Sequence, residues 1–149
     1  MMTNKQASDA QEKLIAKFLG WSQVPGSGAR PTHCGDVQST LWLGECKTHV
    51  TPGHKIHFDS KVWSKIVDEA ASTFKKAAYF VDDGSQTIDR TFVVFSGTFS
   101  DALSSGLTGD TLNFDHSDLR RDCVYRLKLG RTWVSLAHLT KFKEVLWTC

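Results

Sequence analysis

Residues 35–47, Gly35-Asp36-Val37-Gln38-Ser39-Thr40-Leu41-Trp42-Leu43-Gly44-Glu45-Cys46-Lys47, read as two short β-strands joined by a turn. Alternate side chains of a strand share one face, so Glu45 and Lys47 project together while Cys46 points to the other face. Asp36 lies at the start of the first strand and Glu45 near the end of the second. The hairpin therefore places two carboxylates and an ammonium group close together.

The hydrophobic periodicity on either side of this hairpin predicts the remaining elements. A Ser8 cap with Gln11 three residues later, and Gly20 as a stop, delimit a first helix. In chain order the predicted elements are a helix over 9–19, the hairpin over 35–47, a helix from Asp59 or Ser60 to Phe74, strands over 77–81 and 91–95, a long loop over 97–118, a hairpin over 124–136 and a last helix over 136–146.

This order of elements predicts an α/β fold with a central mixed sheet flanked by helices. The chain has 149 residues, of which 40% are hydrophobic, so residues 1–149 are expected to form one domain around one core. No internal repeat or heptad pattern is present. The tryptophans, Trp42 and Trp63 above all, are expected in the core rather than as platforms for nucleic-acid bases.

The sequence also indicates a cellular compartment. No apolar run approaches the roughly 20 residues of a membrane span, and the first ten residues lack the apolar segment of a signal peptide. Four cysteines in a chain of this length, without a secretory signal, indicate reduced thiols rather than a disulfide framework. We therefore expect a soluble, cytoplasmic protein without a membrane partner.

Charge is unevenly distributed although the formal net charge is only +2. Residues 91–119 contain four aspartates and no Lys or Arg, whereas residues 119–147 carry seven basic residues against two acids. We expect one face of the fold to be basic and another acidic.

Asp36, Glu45 and Lys47 have the chemistry of a hydrolytic metal site. Two carboxylates on neighbouring strands can share a hard divalent cation, which prefers oxygen ligands. A lysine two residues after the second acid can orient a water molecule for attack on a phosphodiester. Glu12, at the margin of the apolar stripe of the first helix, is the candidate third carboxylate.

These residues resemble the PD-(D/E)xK nuclease superfamily, and within it the archaeal-type Holliday junction resolvases and their phage relatives. The resemblance is carried by Glu12, the Gly26-Ser27-Gly28 loop, Gly35-Asp36 and Glu45-Cys46-Lys47, and it covers about the first 81 residues. It implies a restriction-endonuclease-like core. The sequence departs from the pattern at Gly35, where the family has proline.

The resemblance implies a role for each matching position. Glu12, Asp36 and Glu45, with the backbone carbonyl of Cys46, would bind Mg²⁺ or Mn²⁺. Lys47 would position the attacking water, and Ser27 would contact the scissile phosphate. Four basic residues flank this site and are candidates for holding the DNA backbone: Arg30, Lys55, Lys61 and Lys65.

The resulting expectation is a magnesium-dependent endonuclease that resolves four-way (Holliday) DNA junctions in a bacterial, archaeal or phage-infected cell. A four-way junction is nearly two-fold symmetric, so paired cuts predict a homodimer. The helix after Asp59 or the C-terminal hairpin is the expected interface.

Several alternatives are open at this level. A Glu-x-Lys strand can be a solvated face, Glu12 can pair with Lys13 or Lys17, and the four basic residues can be ordinary surface lysines and arginine. Cys46-x2-His49 and His54-x2-His57 resemble zinc ligands, but the four residues between the pairs are far fewer than the usual loop of about 12. Two other functions are a superfamily nuclease for duplex or single-stranded ends and a non-catalytic DNA-binding module.

Overall fold

The computed structural model describes residues 2–25 and 35–149. Within these residues the chain forms an eight-stranded sheet, a two-stranded sheet and three α-helices, with two short 3-10 segments. The helices are α1 (Asn4–Leu19), α2 (Ser60–Ser72) and α3 (Leu139–Val145). The strands are β1 (Ser22–Gln23), β2 (Val37–Gln38), β3 (Trp42–Lys47), β4 (Ile56–Asp59), β5 (Lys76–Val81), β6 (Phe92–Phe95), β7 (Leu103–Gly109), β8 (Thr111–Phe114), β9 (Tyr125–Leu129) and β10 (Thr132–His138).

The large sheet is mixed, with strand order β1-β2-β3-β5-β6-β10-β9-β7. Its parallel pairs are β3 with β5 and β7 with β9, and its other neighbours are antiparallel. The second sheet pairs β4 with β8. The prediction of an α/β fold with a central mixed sheet is confirmed.

Two hydrophobic clusters cover opposite faces of the large sheet. Ala77, Tyr79 and Val81 of β5 pack into the cluster that contains α2, β4 and β8. Ala78 and Phe80, which alternate with them, pack into the cluster that contains α1 and α3. This alternation is the period-two pattern of a strand buried on both faces, and it confirms that helices flank the sheet on both sides.

The observed helix boundaries differ from the predicted ones where another residue caps the helix or where the preceding strand is longer than predicted. Helix α1 begins at Asn4 because Thr3 and Gln6 form a reciprocal capping box, so the predicted cap Ser8 lies inside the helix. The helix ends at Gly20, with φ of +73°, as predicted. Asp59 caps α2, which is also as predicted. Helix α3 begins at Leu139 because β10 extends to His138.

The prediction that residues 97–118 form a long loop is wrong. They contain β7, which lies beside β9, and β8, which pairs with β4, a strand that the sequence interpretation missed. Leu112 and Phe114 alternate with exposed residues on β8 and are buried in the α2 cluster. The many serines and glycines of this segment hide the pattern, since such residues are typical of loops.

The five tryptophans differ in exposure, and Trp21 is half-buried. Trp42 and Trp63 are buried, which confirms their predicted place in the core. Trp133 is 57% exposed and Trp147 is 79% exposed, so the core prediction is wrong for these two. Trp133 lies at the start of β10 and Trp147 follows α3.

No helix among the described residues combines the length and the apolarity that a membrane crossing requires.

Candidate active site

The β2–β3 hairpin places Asp36 beside Glu45. Val37 pairs with Gly44, and the Asp36 N–H donates to the Gly44 carbonyl at 2.8 Å. The Cys46 N–H in turn donates to Asp36 Oδ2 at 2.9 Å. Asp36 and Glu45 are both buried, so two acids of the predicted set meet at the protected end of the hairpin.

Two glycines, Gly35 and Gly44, permit the close packing of the chain segments that carry Asp36 and Glu45. Gly35 has φ of +70°, a left-handed conformation, and its N–H donates to Glu69 Oε2 at 3.2 Å. A Cβ atom on Gly44 would lie 2.6 Å from the Phe80 ring and 2.9 Å from Val37. Proline, with φ fixed near −65° and no N–H, cannot adopt the Gly35 conformation. The departure from the superfamily pattern at this position therefore has a backbone cause.

The burial of Glu45 perturbs its ionisation. Desolvation, a hydrogen bond with Asp36 and the Asp36 charge raise the pKa of Glu45 to about 8, against the opposing charge of Lys47. Glu45 is therefore more readily protonated than an exposed glutamate.

Glu12 approaches the pair from α1. It is 8% exposed, more deeply buried than its predicted place at the margin of the apolar stripe. Burial and the Asp36 charge raise the pKa of Glu12 to about 7, while a hydrogen bond from Gln23 acts in the opposite direction. The adjacent Gln11 side chain donates from Nε2 to the Lys47 carbonyl oxygen at 2.6 Å and so fixes α1 to the end of β3.

Lys47 stands at the exposed rim of this acidic cluster. Its Nζ atom is 4.0 Å from Glu45 Oε1, and its side chain is 56% exposed, against 9% for Glu45. The strand prediction that the two side chains share a face therefore agrees with the structure. A cleft of about 260 Å³ opens beside Lys47, lined also by His49, His57 and Tyr79.

Cys46 points away from Glu45, into the cluster with α1 and α3. Burial raises the pKa of its thiol well above the usual value, and the charges of Asp36, Glu12 and Glu45 raise it further. A thiol held neutral is a poor metal ligand, and only the Cys46 carbonyl remains as a candidate donor.

The donor set fits a hard cation by chemistry. Asp36, Glu45 and Glu12 supply carboxylate oxygens, and the charge of Lys47 opposes the raised pKa of Glu45 as that of Lys5 opposes the raised pKa of Glu12. Within residues 2–25 and 35–149, however, no three His, Cys, Asp or Glu side chains form a group that could hold a metal ion in their present positions. Glu45, whose pKa is raised, would have to lose its proton when a cation binds.

The remaining predicted site residues are dispersed. Ser27 and Arg30 lie outside the described residues. Lys61 and Lys65 lie on the exposed side of α2, and Lys55 precedes β4. Lys65 approaches Glu69 at 3.9 Å, which ties it to the carboxylate that accepts the Gly35 N–H.

Gln11 and Glu69 are the site residues that the sequence interpretation missed. Gln11 supports the Lys47 backbone and Glu69 supports the turn before Asp36. Both contacts join residues more than thirty positions apart, and a single sequence contains no local signal for them. The sequence does show that Gln11 adjoins Glu12, which places it next to a predicted site residue.

No protein-family model, curated protein or solved structure significantly matches this chain.

Proposed function

We propose that this protein is a metal-dependent DNA endonuclease with a restriction-endonuclease-like core, and that it cuts branched DNA such as four-way junctions. The proposal is carried by one observation: the buried acids Asp36, Glu45 and Glu12 come from α1 and the β2–β3 hairpin, the Asp36 charge raises the pKa values of the other two, and the Lys47 ammonium group lies 4.0 Å from Glu45 Oε1 at the exposed rim. Buried acids without paired cations are costly in a structural core. A role in phosphodiester hydrolysis would account for these buried acids.

Each residue has a distinct role in the proposed chemistry. Asp36, Glu45 and Glu12, with the Cys46 carbonyl, would hold Mg²⁺ or Mn²⁺. When bound, the cation would offset the acidic charge and stabilise negative charge on the phosphate oxygens. Lys47 is exposed and would orient the attacking water and neutralise the incoming phosphate. Gln11 and Glu69 would keep β3 and the Gly35 turn in register.

The protonation of the acids would also change when a cation binds. With pKa values raised to about 7 and about 8, Glu12 and Glu45 are substantially protonated near neutral pH in the absence of a metal. Cation binding requires their ionised forms, so it would release protons and strengthen as the pH rises. We therefore propose that cleavage increases with pH through the range near 7 to 8.

The substrate part of the proposal is that the protein acts on a four-way junction as a homodimer. Two cuts on a two-fold substrate need two equivalent sites. The apolar residues of α2, namely Trp63, Ile66 and Ala70, are buried within the chain. Helix α2 can therefore contribute only its polar side to an interface, which weakens the expectation that its apolar surface joins two copies.

The decisive experiment is a cleavage assay on a synthetic four-way junction with EDTA, Mg²⁺ and Mn²⁺ arms. Duplex, single-stranded and nicked DNA serve as competing substrates. We expect Asp36→Asn, Glu45→Gln and Lys47→Ala each to lower the cleavage rate by at least 100-fold while junction binding in EDTA is retained. Asp118→Asn and Lys143→Ala, which change exposed residues on other elements, are the matched controls.

The outcomes separate the possible functions. Cleavage of duplex or single-stranded ends in preference to junctions would keep the chemistry and replace the substrate. Junction binding with no cleavage in any metal would indicate a binding module. Unchanged cleavage by the three site variants would reject this active site.

A further inference from the structure

One region of the large sheet is left uncovered by the helices of the described chain. On the face that carries α1 and α3, these helices cover β5, β6 and the end of β10. The outer strands β9 and β7 and the beginning of β10 extend past them. The residues exposed there are mostly polar or cationic, with one tryptophan among them.

Strand register arranges these residues in two rows. Thr108 pairs with Lys128, which pairs with Trp133. Ser104 pairs with Arg126 in the adjacent row. Directly paired residues of neighbouring strands share a face, so the five form one surface across three strands. We call it the Trp133 face: Ser104, Thr108, Arg126, Lys128 and Trp133.

Trp133 is the largest exposed group on this face. The Arg126 guanidinium carbon lies 5.0 Å from the centroid of its ring and Lys128 Nζ lies 5.8 Å from it. With 57% of Trp133 still exposed, the ring retains surface for another flat group. A shallow cleft of about 250 Å³ runs along the face.

The charges of the Trp133 face are not neutralised by neighbouring acids. Among the described residues, neither Arg126 nor Lys128 forms an ion pair within 4.0 Å. The lining of the cleft contains no Asp or Glu in the part of the chain that the structure describes. Arg131, exposed in the turn before β10, adds a third cation at the same end.

We propose that the Trp133 face binds single-stranded nucleic acid. A base would stack on the exposed Trp133 ring, Arg126 and Lys128 would contact the flanking phosphates, and the Ser104 and Thr108 hydroxyls would donate to phosphate or sugar oxygens. An exposed aromatic ring among cations is the combination that binds single strands with little dependence on sequence. A second copy of the chain is disfavoured as occupant, because two such faces would bring like charges together.

This surface is separate from the candidate active site. By strand alternation Glu45 and Lys47 project to the α2 face, whereas Trp133 projects to the opposite face. Four strand steps lie between β3 and β9 in the sheet order, or roughly 19 Å at the usual spacing. Binding here does not depend on cleavage, although in the proposed nuclease it would hold an unpaired strand of a branched substrate.

Fluorescence anisotropy of the full chain with fluorescein-labelled dT20 and rU20 in EDTA tests the proposal without cleavage. We expect Trp133→Ala to weaken binding by roughly 5- to 150-fold, the range found for loss of one stacked base. Trp133→Phe should stay within about 3-fold of wild type since it keeps an aromatic face. Trp147→Ala removes a tryptophan elsewhere that is even more exposed, and it should leave the affinity unchanged.

A salt series tests the phosphate contacts. We expect Lys128→Ala and Arg126→Ala each to reduce the slope of log affinity against log salt by about 0.7, while Lys13→Ala leaves it unchanged. The dT20 and rU20 arms distinguish DNA from RNA as the source of the strand.

Three outcomes would overturn the inference. They are the absence of measurable binding by wild type, equal weakening by Trp133→Ala and Trp147→Ala, and a dimer in sedimentation that Trp133→Ala dissociates without change in affinity for dT20. The proposed nuclease activity can fail while this binding persists, since the two are measured in different conditions with different variants.

Discussion

At the scale of single residues, the cluster of Asp36, Glu45 and Glu12 joins stability to ionisation. Each acid is at least nine-tenths buried, and the pKa values of Glu45 and Glu12 are raised chiefly by desolvation. A carboxyl group whose folded pKa exceeds its unfolded value binds more protons in the folded state. Its contribution to stability is full below the unfolded pKa and is lost as the pH rises through the folded pKa.

This relation predicts a pH-dependent free energy of unfolding in EDTA. Between pH 4.5 and pH 8 the folded state holds the Glu45 proton that the unfolded state releases, so wild-type stability should fall as the pH rises. Glu45→Gln should flatten this slope because it removes the titrating group and keeps a donor for Asp36. Urea unfolding of both proteins at pH 5, 6.5 and 8 measures how the free energy of unfolding depends on pH.

The control for this slope is Glu144→Gln, which removes an acid whose side chain is 63% exposed. It should retain the wild-type dependence on pH. If Glu45→Gln and wild type change in parallel across the range, the folded-state pKa of Glu45 is not raised.

Gly44 is a second position where one residue limits the site. A methyl group there would meet Phe80 at 2.6 Å and Val37 at 2.9 Å. Gly44→Ala should therefore lower the free energy of unfolding by about 1–3 kcal/mol through overpacking. Gly53→Ala is the comparison, since no atom lies within 4 Å of its Cβ position and only its positive φ is strained. A Gly44→Ala variant as stable as wild type would show that Phe80 and Val37 move aside at little cost.

At the scale of elements, hydrogen bonds between helix side chains and the backbone of other segments fix the arrangement of the site. Helix α1 supplies both Glu12 and Gln11, and the Gln11 bond to the Lys47 carbonyl sets its distance from β3. Helix α2 supplies Glu69, whose carboxylate holds the Gly35 N–H. The orientation of Asp36 relative to Lys47 thus depends on how two helices dock on opposite sides of one strand.

The start of α2 provides a test at this scale. Asp59 Oδ1 accepts the Lys61 N–H at 2.8 Å and caps the helix. Asp59→Ala should cost roughly 0.5–2 kcal/mol of unfolding free energy, whereas Asp59→Ser, another good capping residue, should cost only a few tenths. Asp68→Ala, on the exposed side of the same helix, is the control for loss of charge. A Ser variant as unstable as the Ala variant would contradict the capping role.

At the scale of the whole molecule, the large sheet separates two surfaces of different chemistry. The acidic cluster and Lys47 lie at the end of β3, and the cationic Trp133 face lies on the outer strands beyond it. The expectation of one acidic and one basic face stays a prediction, because the acidic cluster is buried and forms no face. The acidic segment 91–119 does not form the acidic cluster, whose residues come from the first 45 positions.

A ligand of the folded state raises global stability, so the proposed cation has a measurable effect on the whole chain. At 100 times its Kd, Mg²⁺ or Mn²⁺ should add about 2.7 kcal/mol to the free energy of unfolding and raise the Tm in proportion. Asp36→Asn should abolish that increase, and Asp118→Asn, an exposed acid on a turn, should retain it. Thermal unfolding with and without the cation measures it; an equal rise in both variants would place binding elsewhere.

The sequence alone determined the elements whose signals are local. Period-two and period-3.6 patterns with their caps and turns predict β2, β3, α2, β5, β6 and the β9–β10 hairpin, because such signals depend on neighbours within a few residues. They also place Glu45 and Lys47 on one face. Segments rich in serine and glycine, such as β7, carry no such signal, because their strand conformation is imposed by pairing with a distant strand.

Which distant groups meet is set by the packing of the folded chain. The burial of Glu12, the contacts of Gln11 and Glu69 and the exposure of Trp133 all depend on how helices dock on the sheet and where they end. Raised carboxyl pKa values are likewise a property of burial in a folded chain. Spacing along the chain identified the acids and the lysine, and three-dimensional packing gave them their electrostatic environment.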